Sequence, residues 1–120
     1  MLLGTMLLTS CETGGTGERI KIAYICKQLS NTWFQQVTKG ISNTCKKYGI
    51  EYLEYDANFD DAKCLEYVDE AIDAGADGIL ITTTKQEFGP VIAQKCSDAG
   101  VLLMTIDDTM LDGNGVQLPH

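Results

Sequence analysis

The sequence has few of the residues on which common active sites are built. Its single histidine is the last residue, His120, and its 9 Lys and Arg are outnumbered by 17 Asp and Glu. A Ser-His or Cys-His catalytic pair is therefore not expected, nor is a mixed Cys/His zinc site. The formal net charge of -8 argues against nucleic-acid binding, which needs clustered basic residues, and leaves no basic patch for an anionic membrane.

The five cysteines also lack the spacing of a metal site, because none of them forms a CxxC pair. Cys45, Cys64 and Cys96 fall in predicted helices, and Cys26 ends a predicted strand. We expect these four to be small buried hydrophobic residues, and their spacing leaves disulfide pairing open. Cys11 needs a separate explanation.

Cys11 follows an uncharged stretch, MLLGTMLLTS, over residues 1–10. Residues 8–11, LTSC, resemble the lipobox of bacterial lipoproteins, in which the chain is cut before the cysteine and the thiol receives a lipid. The usual basic start is missing, and ten residues are too few for a membrane-spanning helix. We interpret residues 1–10 as a lipoprotein signal peptide that is short at its start, and residues 11–18 as a flexible tether. The alternative is an apolar N-terminus with a chance cysteine.

From residue 19 onward, strand-like and helix-like patterns alternate. Apolar or alternating runs predict strands over residues 19–26, 50–55, 78–82 and 101–106. Apolar residues at helical spacing predict helices over residues 32–48, 60–74 and 86–99. In the third helix, Phe88, Val91, Ile92 and Cys96 are expected to face inward, and Pro90 fits only near its start. The order βαβαβαβ predicts an α/β fold: a three-layer, doubly wound parallel sheet.

Ligands of doubly wound sheets bind beyond the carboxyl ends of the strands, so the residues after each predicted strand are the candidates for a site. They are Lys27, Gln28, Asp56, Asn58, Thr82, Thr83, Thr84, Asp107 and Asp108. Trp33 and Phe34 open the first predicted helix. An aromatic face beside charged donors and acceptors suits a sugar, which has an apolar C–H patch and many hydroxyls.

Each candidate also has a structural interpretation. Lys27 would suit a solvated loop, Phe34 the core, Asn31 a helix N-cap, and the threonines local backbone bonds. An enzyme is a further alternative, in which Asp56, Asp107 and Asp108 hold Mg²⁺ for phosphoryl transfer. Because the sequence has no phosphate-binding loop of the GxxxxGK[ST] form, we expect no enzyme, no cofactor and no metal site.

Five strings together resemble a known family. They are KIAYICKQ at residues 21–28, WFQ at 33–35, DGILITT at 77–83, FG at 88–89 and IDD at 106–108. They are similar to the L-arabinose-binding branch of the type I periplasmic sugar-binding proteins. The similarity covers residues 21–108, nearly all of the predicted domain.

The resemblance implies a role for each matching residue. Lys27 matches a lysine that bonds sugar hydroxyls and the ring oxygen, and Trp33 and Phe34 match aromatic residues that line the sugar. Asp108 matches an acceptor of the anomeric hydroxyl, and Asp107 matches its neighbour. Two positions depart from the family: Asn31 replaces a glutamate and Thr82 replaces a cysteine. The sugar therefore stays open among arabinose, galactose, xylose and fucose.

The resemblance also implies two lobes that close over the sugar. Residues 19–110 would be the N-terminal lobe and residues 111–120 the start of the crossover to a second lobe, which this sequence lacks. The strand at residues 101–106 would then have an exposed apolar edge.

The resemblance points to the substrate-binding lipoprotein of a sugar ABC transporter. Such a protein is exported to the cell envelope, carries a lipid on Cys11 and delivers a monosaccharide to a permease. A sugar-sensing domain for chemotaxis or transcriptional regulation is the alternative. Regulators of this fold carry a basic helix-turn-helix before the first strand, whereas this sequence has an apolar stretch there.

Overall fold

The computed structural model describes residues 17–118 of the chain. The predicted order βαβαβαβ is confirmed in this range. The strands are β1 Lys21–Cys26, β2 Glu51–Asp56, β3 Gly78–Ile81 and β4 Leu102–Thr105, and the helices are α1 Thr32–Tyr48, α2 Asp61–Asp73 and α3 Gly89–Ala99. Cys11 and the predicted signal peptide lie outside the described residues.

The four strands form one parallel sheet in the order β2-β1-β3-β4. In the register, Tyr24 of β1 lies opposite Glu54 of β2 on one side and Leu80 of β3 on the other. The chain thus runs from β1 outward to β2 and then returns to the far side of β1. This reversal is the topological switch point of a doubly wound sheet, and it lies at β1 and β3.

Side chains alternate between the two faces of the sheet, as the strand period of two requires. Ala23 and Ile25 of β1 face the larger core cluster, which also contains residues of α2 and α3. Tyr24 faces the other way and packs with Phe34 of α1. The sheet therefore has helices on both faces, which confirms the predicted three layers.

Both ends of α1 are set by the residues that lie at those ends. The Asn31 side chain accepts the backbone N–H of Trp33 at 2.9 Å, which is the predicted N-cap. At the other end Gly49 has φ 68°, a left-handed conformation that glycine adopts without strain. The Ile50 N–H donates to the Cys45 carbonyl at 2.8 Å, so β2 begins at Glu51 rather than at the predicted residue 50.

The third predicted helix, residues 86–99, is wrong as a continuous element. Residues 86–88 form a 3₁₀ turn, and α3 begins at Gly89. Pro90 has no N–H to donate to the Gln86 carbonyl four residues earlier, and that carbonyl instead accepts the Leu111 N–H at 3.0 Å. Val91 was expected to face inward but is 42% exposed, because it lies off the buried stripe of Ile92 and Cys96.

The four cysteines of the described range, Cys26, Cys45, Cys64 and Cys96, are free thiols and are buried, as predicted. Cys64 and Cys96 belong to the larger core cluster, whereas Cys26 packs beside Tyr24 in the smaller one. Burial raises the pKa of the Cys96 thiol above its ordinary value, which keeps it protonated and unreactive at neutral pH. The cysteines of this range therefore serve as packing residues.

Strand β4 lies at the end of the sheet, and its exposed face is apolar. Leu102 is 79% exposed and Met104 is 63% exposed, and no other strand of residues 17–118 pairs with the free edge of β4. The segment after β4 returns to the lobe, where Met110 is buried and its carbonyl accepts the Leu118 N–H at 2.9 Å. The predicted domain boundary at residue 110 stays a prediction.

None of the helices within residues 17–118 is both long and apolar enough to cross a membrane.

Candidate functional site

The candidate site lies where the chain leaves β1 and β4 at the carboxyl edge of the sheet. Lys27 directly follows β1 at the switch point, and Asp107 and Asp108 follow β4 two strands away. The Asp108 N–H donates to the Ile106 carbonyl at 2.8 Å, and Asp107 between them has φ 69°. This tight three-residue turn is unfavourable for an L-residue, and strained turns of this kind concentrate at functional sites.

The turn brings Asp108 to Lys27. The Lys27 ammonium donates to the Asp108 carboxylate, and the two half-buried side chains form an ion pair across 81 positions of sequence. The Lys27 Nζ also lies 5.4 Å from the centroid of the Phe34 ring, in a cation–π geometry. Lys27 has N–H donors and Asp108 has lone pairs beyond this contact, so the pair can both donate to and accept from a polar ligand.

The two aromatic residues at the start of α1 differ in accessibility. Phe34 is buried, with 4% of its surface exposed, and belongs to the core that supports Lys27. Trp33 is 58% exposed and is the one tryptophan of the chain. Trp33 can therefore contact the apolar face of a ligand, whereas the buried Phe34 contacts the Lys27 ammonium instead.

Asn31 lies in the same loop, one residue before α1. Its side-chain oxygen, Oδ1, accepts the Trp33 N–H and caps the helix, while the side chain as a whole is exposed. The amide N–H groups are the part of this side chain that remains for a ligand. Asn31 thus combines the structural role that the sequence predicts with a place next to Trp33.

Thr82 lies beneath the edge rather than on it. It is fully buried, and its hydroxyl shares a 2.9 Å hydrogen bond with the Tyr24 hydroxyl. Burial is the main reason that the pKa of Tyr24 is raised well above its ordinary value, so this phenol stays a neutral partner. Tyr24 was not among the predicted site residues, although the alternation along β1 points its side chain to the same face as Cys26.

The carboxylates that a magnesium site would need do not lie together in the described residues. Among residues 17–118 no group of three or more His, Cys, Asp or Glu side chains is arranged to hold a metal ion. Asp56 accepts the backbone N–H groups of Leu29 and Asn58, and Asp108 pairs with Lys27. The three carboxylates named for the phosphoryl-transfer alternative, Asp56, Asp107 and Asp108, are thus not grouped as metal ligands in the described residues.

Sequence reasoning also missed Phe59. This residue is 58% exposed, has φ 59° and follows Asn58, whose φ is 47°. Its N–H donates to the Lys27 carbonyl at 2.7 Å, so the β2–α2 turn is attached directly to the loop that carries the site. No sequence pattern indicates a left-handed phenylalanine, because bulky residues disfavour that conformation.

Comparison with known proteins gives consistent matches. The ribose import binding protein of Bacillus subtilis is 27% identical over 94% of this chain and 40% of its own length. The L-arabinose-binding periplasmic protein of Escherichia coli is 28% identical over 82% of this chain and 30% of its own length. The chain thus spans less than half the length of these relatives, both of which are named as binding proteins.

Solved structures show the same fold. The myo-inositol binding protein of Caulobacter superposes with a TM-score of 0.75 at 19% identity, covering 87% of this chain and 35% of that protein. A periplasmic solute binding protein from Actinobacillus succinogenes, solved with D-allose, superposes with a TM-score of 0.73 at 24% identity over 81% of this chain and 34% of its own.

The family model described as "Periplasmic binding protein domain" matches residues 22–118, which is nearly the whole described range. The resemblance seen in the strings at residues 21–108 is thereby confirmed at the level of the family. The chain belongs to the periplasmic binding protein domain family.

Proposed function

We propose that this chain forms the N-terminal lobe of a monosaccharide-binding protein that serves an ABC transporter. The observation that carries this proposal is the Lys27–Asp108 ion pair, whose ammonium lies over the Phe34 ring, together with the exposed Trp33 that directly precedes Phe34 in the chain. In a sugar, ring C–H groups suit Trp33, and vicinal hydroxyls suit a lysine and a carboxylate that donate and accept together. Charge-assisted hydrogen bonds of this kind are roughly twice as strong as neutral ones.

The names of related proteins support a sugar as the ligand. Relatives are named for ribose and L-arabinose, and solved structures of the same fold contain D-allose and myo-inositol. These molecules share a ring with several adjacent hydroxyls. Within this chain Asn31 and Thr82, which replace the glutamate and cysteine of the arabinose branch, would contribute to the choice, Asn31 by direct contact and Thr82 by supporting Tyr24 from below.

The proposed site has one wall, and a second lobe would supply the other. We propose that residues 19–110 form the first lobe and residues 111–120 begin the crossover. The 120-residue chain alone is then expected to bind sugars weakly or not at all. Micromolar binding by the isolated chain in calorimetry would contradict the two-lobe arrangement.

The test uses the full polypeptide encoded by the complete reading frame. Isothermal titration and intrinsic tryptophan fluorescence are followed with D-ribose, L-arabinose, D-galactose, D-xylose, D-allose and myo-inositol. Lys27→Met and Asp108→Asn are expected to weaken binding of the preferred sugar by up to about a hundredfold, because each removes a charge-assisted hydrogen bond to a sugar hydroxyl that contributes up to about 3 kcal/mol.

The matched control is the ion pair of Lys95 and Asp69, which joins α3 to α2 away from the carboxyl edge of the sheet. Lys95→Met and Asp69→Asn make the same chemical changes and are expected to leave affinity unaltered. The proposal fails if no sugar of the panel binds. It also fails if the control pair and the site pair have equal effects.

We also propose that the protein is exported to the cell envelope and anchored by a lipid on Cys11, with the permease of the transporter as its partner. The support is the LTSC string at residues 8–11 and the periplasmic location named for related proteins. Metabolic labelling with a fatty acid should mark the wild type and not Cys11→Ala. Equal labelling of the two would contradict the anchor.

A further inference from the structure

The carboxylate of Asp56 joins two loops at the carboxyl edge of the sheet. Its Oδ1 accepts the Asn58 N–H at 2.9 Å within its own turn, and the Leu29 N–H at 3.1 Å from the β1–α1 loop 27 positions away. Asp56 is the last residue of β2, so its backbone is held by the sheet. The carboxylate therefore links a fixed strand to a loop that has no regular structure.

Two backbone bonds complete the connection. The Ala57 N–H donates to the Cys26 carbonyl at 2.8 Å, and the Phe59 N–H donates to the Lys27 carbonyl at 2.7 Å. These two bonds hold the beginning of the β1–α1 loop, whereas the bond to Asp56 holds its middle. The loop between Lys27 and Asn31 is thus attached to the end of β2 and the β2–α2 turn at two points, Lys27 and Leu29.

The turn accepts backbone strain to make these contacts. Asn58 and Phe59 have φ of 47° and 59°, and neither is a glycine. Asparagine adopts a left-handed conformation readily, whereas for a bulky residue such as Phe59 it is unfavourable and persists only where the surroundings impose it. The Phe59 N–H bond to the Lys27 carbonyl holds Phe59 in this conformation, so its strain accompanies the attachment of the two loops.

We propose that Asp56 is a positioning residue of the ligand site: it holds the β1–α1 loop so that Lys27, Asn31 and Trp33 meet one ligand together. This inference rests on the proposed function. The residue acts through Leu29 and does not touch the ligand. The bond from the Leu29 N–H to the Asp56 carboxylate sets the loop before the ligand arrives, which reduces the ordering cost of binding.

Asp56→Ala and Asp56→Asn separate this role from a general effect on folding. The asparagine keeps an acceptor oxygen at the same place, whereas the alanine removes it. In the full polypeptide, Asp56→Ala should lower the affinity for the preferred sugar of the panel about tenfold, and Asp56→Asn should restore most of it. Asp60→Ala is the matched control, because its carboxylate in the same turn caps α2 through the Lys63 N–H and does not reach the β1–α1 loop.

Amide hydrogen exchange gives a readout that does not depend on a ligand. Protection of the Leu29 amide should be lost in Asp56→Ala and retained in Asp56→Asn and Asp60→Ala. Retained protection in Asp56→Ala would overturn the proposal, as would lost protection with unchanged sugar affinity. If the wild type binds no sugar of the panel, the proposed function fails and the positioning role falls with it, even where Leu29 protection follows the expected pattern.

Discussion

Gly89 is the first residue of α3, and Gly89→Ala tests the packing around that helix. A Cβ at this position would lie 2.6 Å from the Leu111 carbonyl oxygen and 2.9 Å from both the Met110 Cβ and the Leu118 Cδ1. Favourable contacts between carbon atoms are about 3.5–4.0 Å, so all three neighbours would have to move. The Leu111 backbone cannot move freely, because its N–H is bonded to the Gln86 carbonyl.

The expected cost follows from overpacking. Added methyl groups in a packed core cost about 1–3 kcal/mol, and the upper end applies where the obstacle is backbone. Alanine is favoured over glycine in a helix by up to about 1 kcal/mol, which offsets part of this. We expect Gly89→Ala to lower the free energy of unfolding by about 2 kcal/mol. The melting temperature should fall by roughly 10 °C for a domain of this size.

Gly40→Ala is the matched control. Gly40 lies inside α1, and a Cβ there would have no atom within 4 Å. The same substitution should therefore raise stability by about 0.5–1 kcal/mol. Urea denaturation followed by far-ultraviolet circular dichroism measures both variants. The packing described for α3 would be wrong if Gly89→Ala fell within about 0.5 kcal/mol of the wild type while Gly40→Ala behaved as expected.

Three further predictions concern other parts of the lobe. Tyr24→Phe should lower the free energy of unfolding by about 1–3 kcal/mol, because the Thr82 hydroxyl loses its buried partner, and adding Thr82→Val should recover most of that loss in urea denaturation. Leu102→Lys should reduce self-association through the free edge of β4, as measured by sedimentation velocity. Val116→Lys is the control, because it changes an exposed apolar residue outside the strands and should leave self-association unaltered. An equal reduction by both variants would refute an effect of the edge. Asp112 accepts backbone N–H bonds from Val116 and Asn114, and these bonds lower the pKa of its carboxyl group. Its contribution to stability should therefore be complete above the ordinary aspartate pKa of about 3.9 and should be lost only as the pH falls through the lower pKa of the folded state. An NMR titration that gives Asp112 an ordinary aspartate pKa would contradict this.

Much of the site could be placed from the sequence because the fold rule is simple. Once the strand and helix periods are recognised, parallel strands place their carboxyl ends at one edge, and Lys27 and Asp108 fall there. The departures have local causes that sequence periodicity does not report. A missing N–H at Pro90 shortens α3, and a helix-ending hydrogen bond removes Ile50 from β2.

What the sequence by itself determined is the order of the elements and the chemistry at their ends. The Asn31 cap and the Gly49 end of α1 depend on neighbours within a few residues, which is why they could be predicted. The tertiary structure decided which distant groups meet. The pairing of Lys27 with Asp108, the burial of Thr82 under Tyr24 and the attachment of Leu29 to Asp56 all cross between strands. Such contacts depend on strand order and register, which arise only when the whole sheet is packed between its helices.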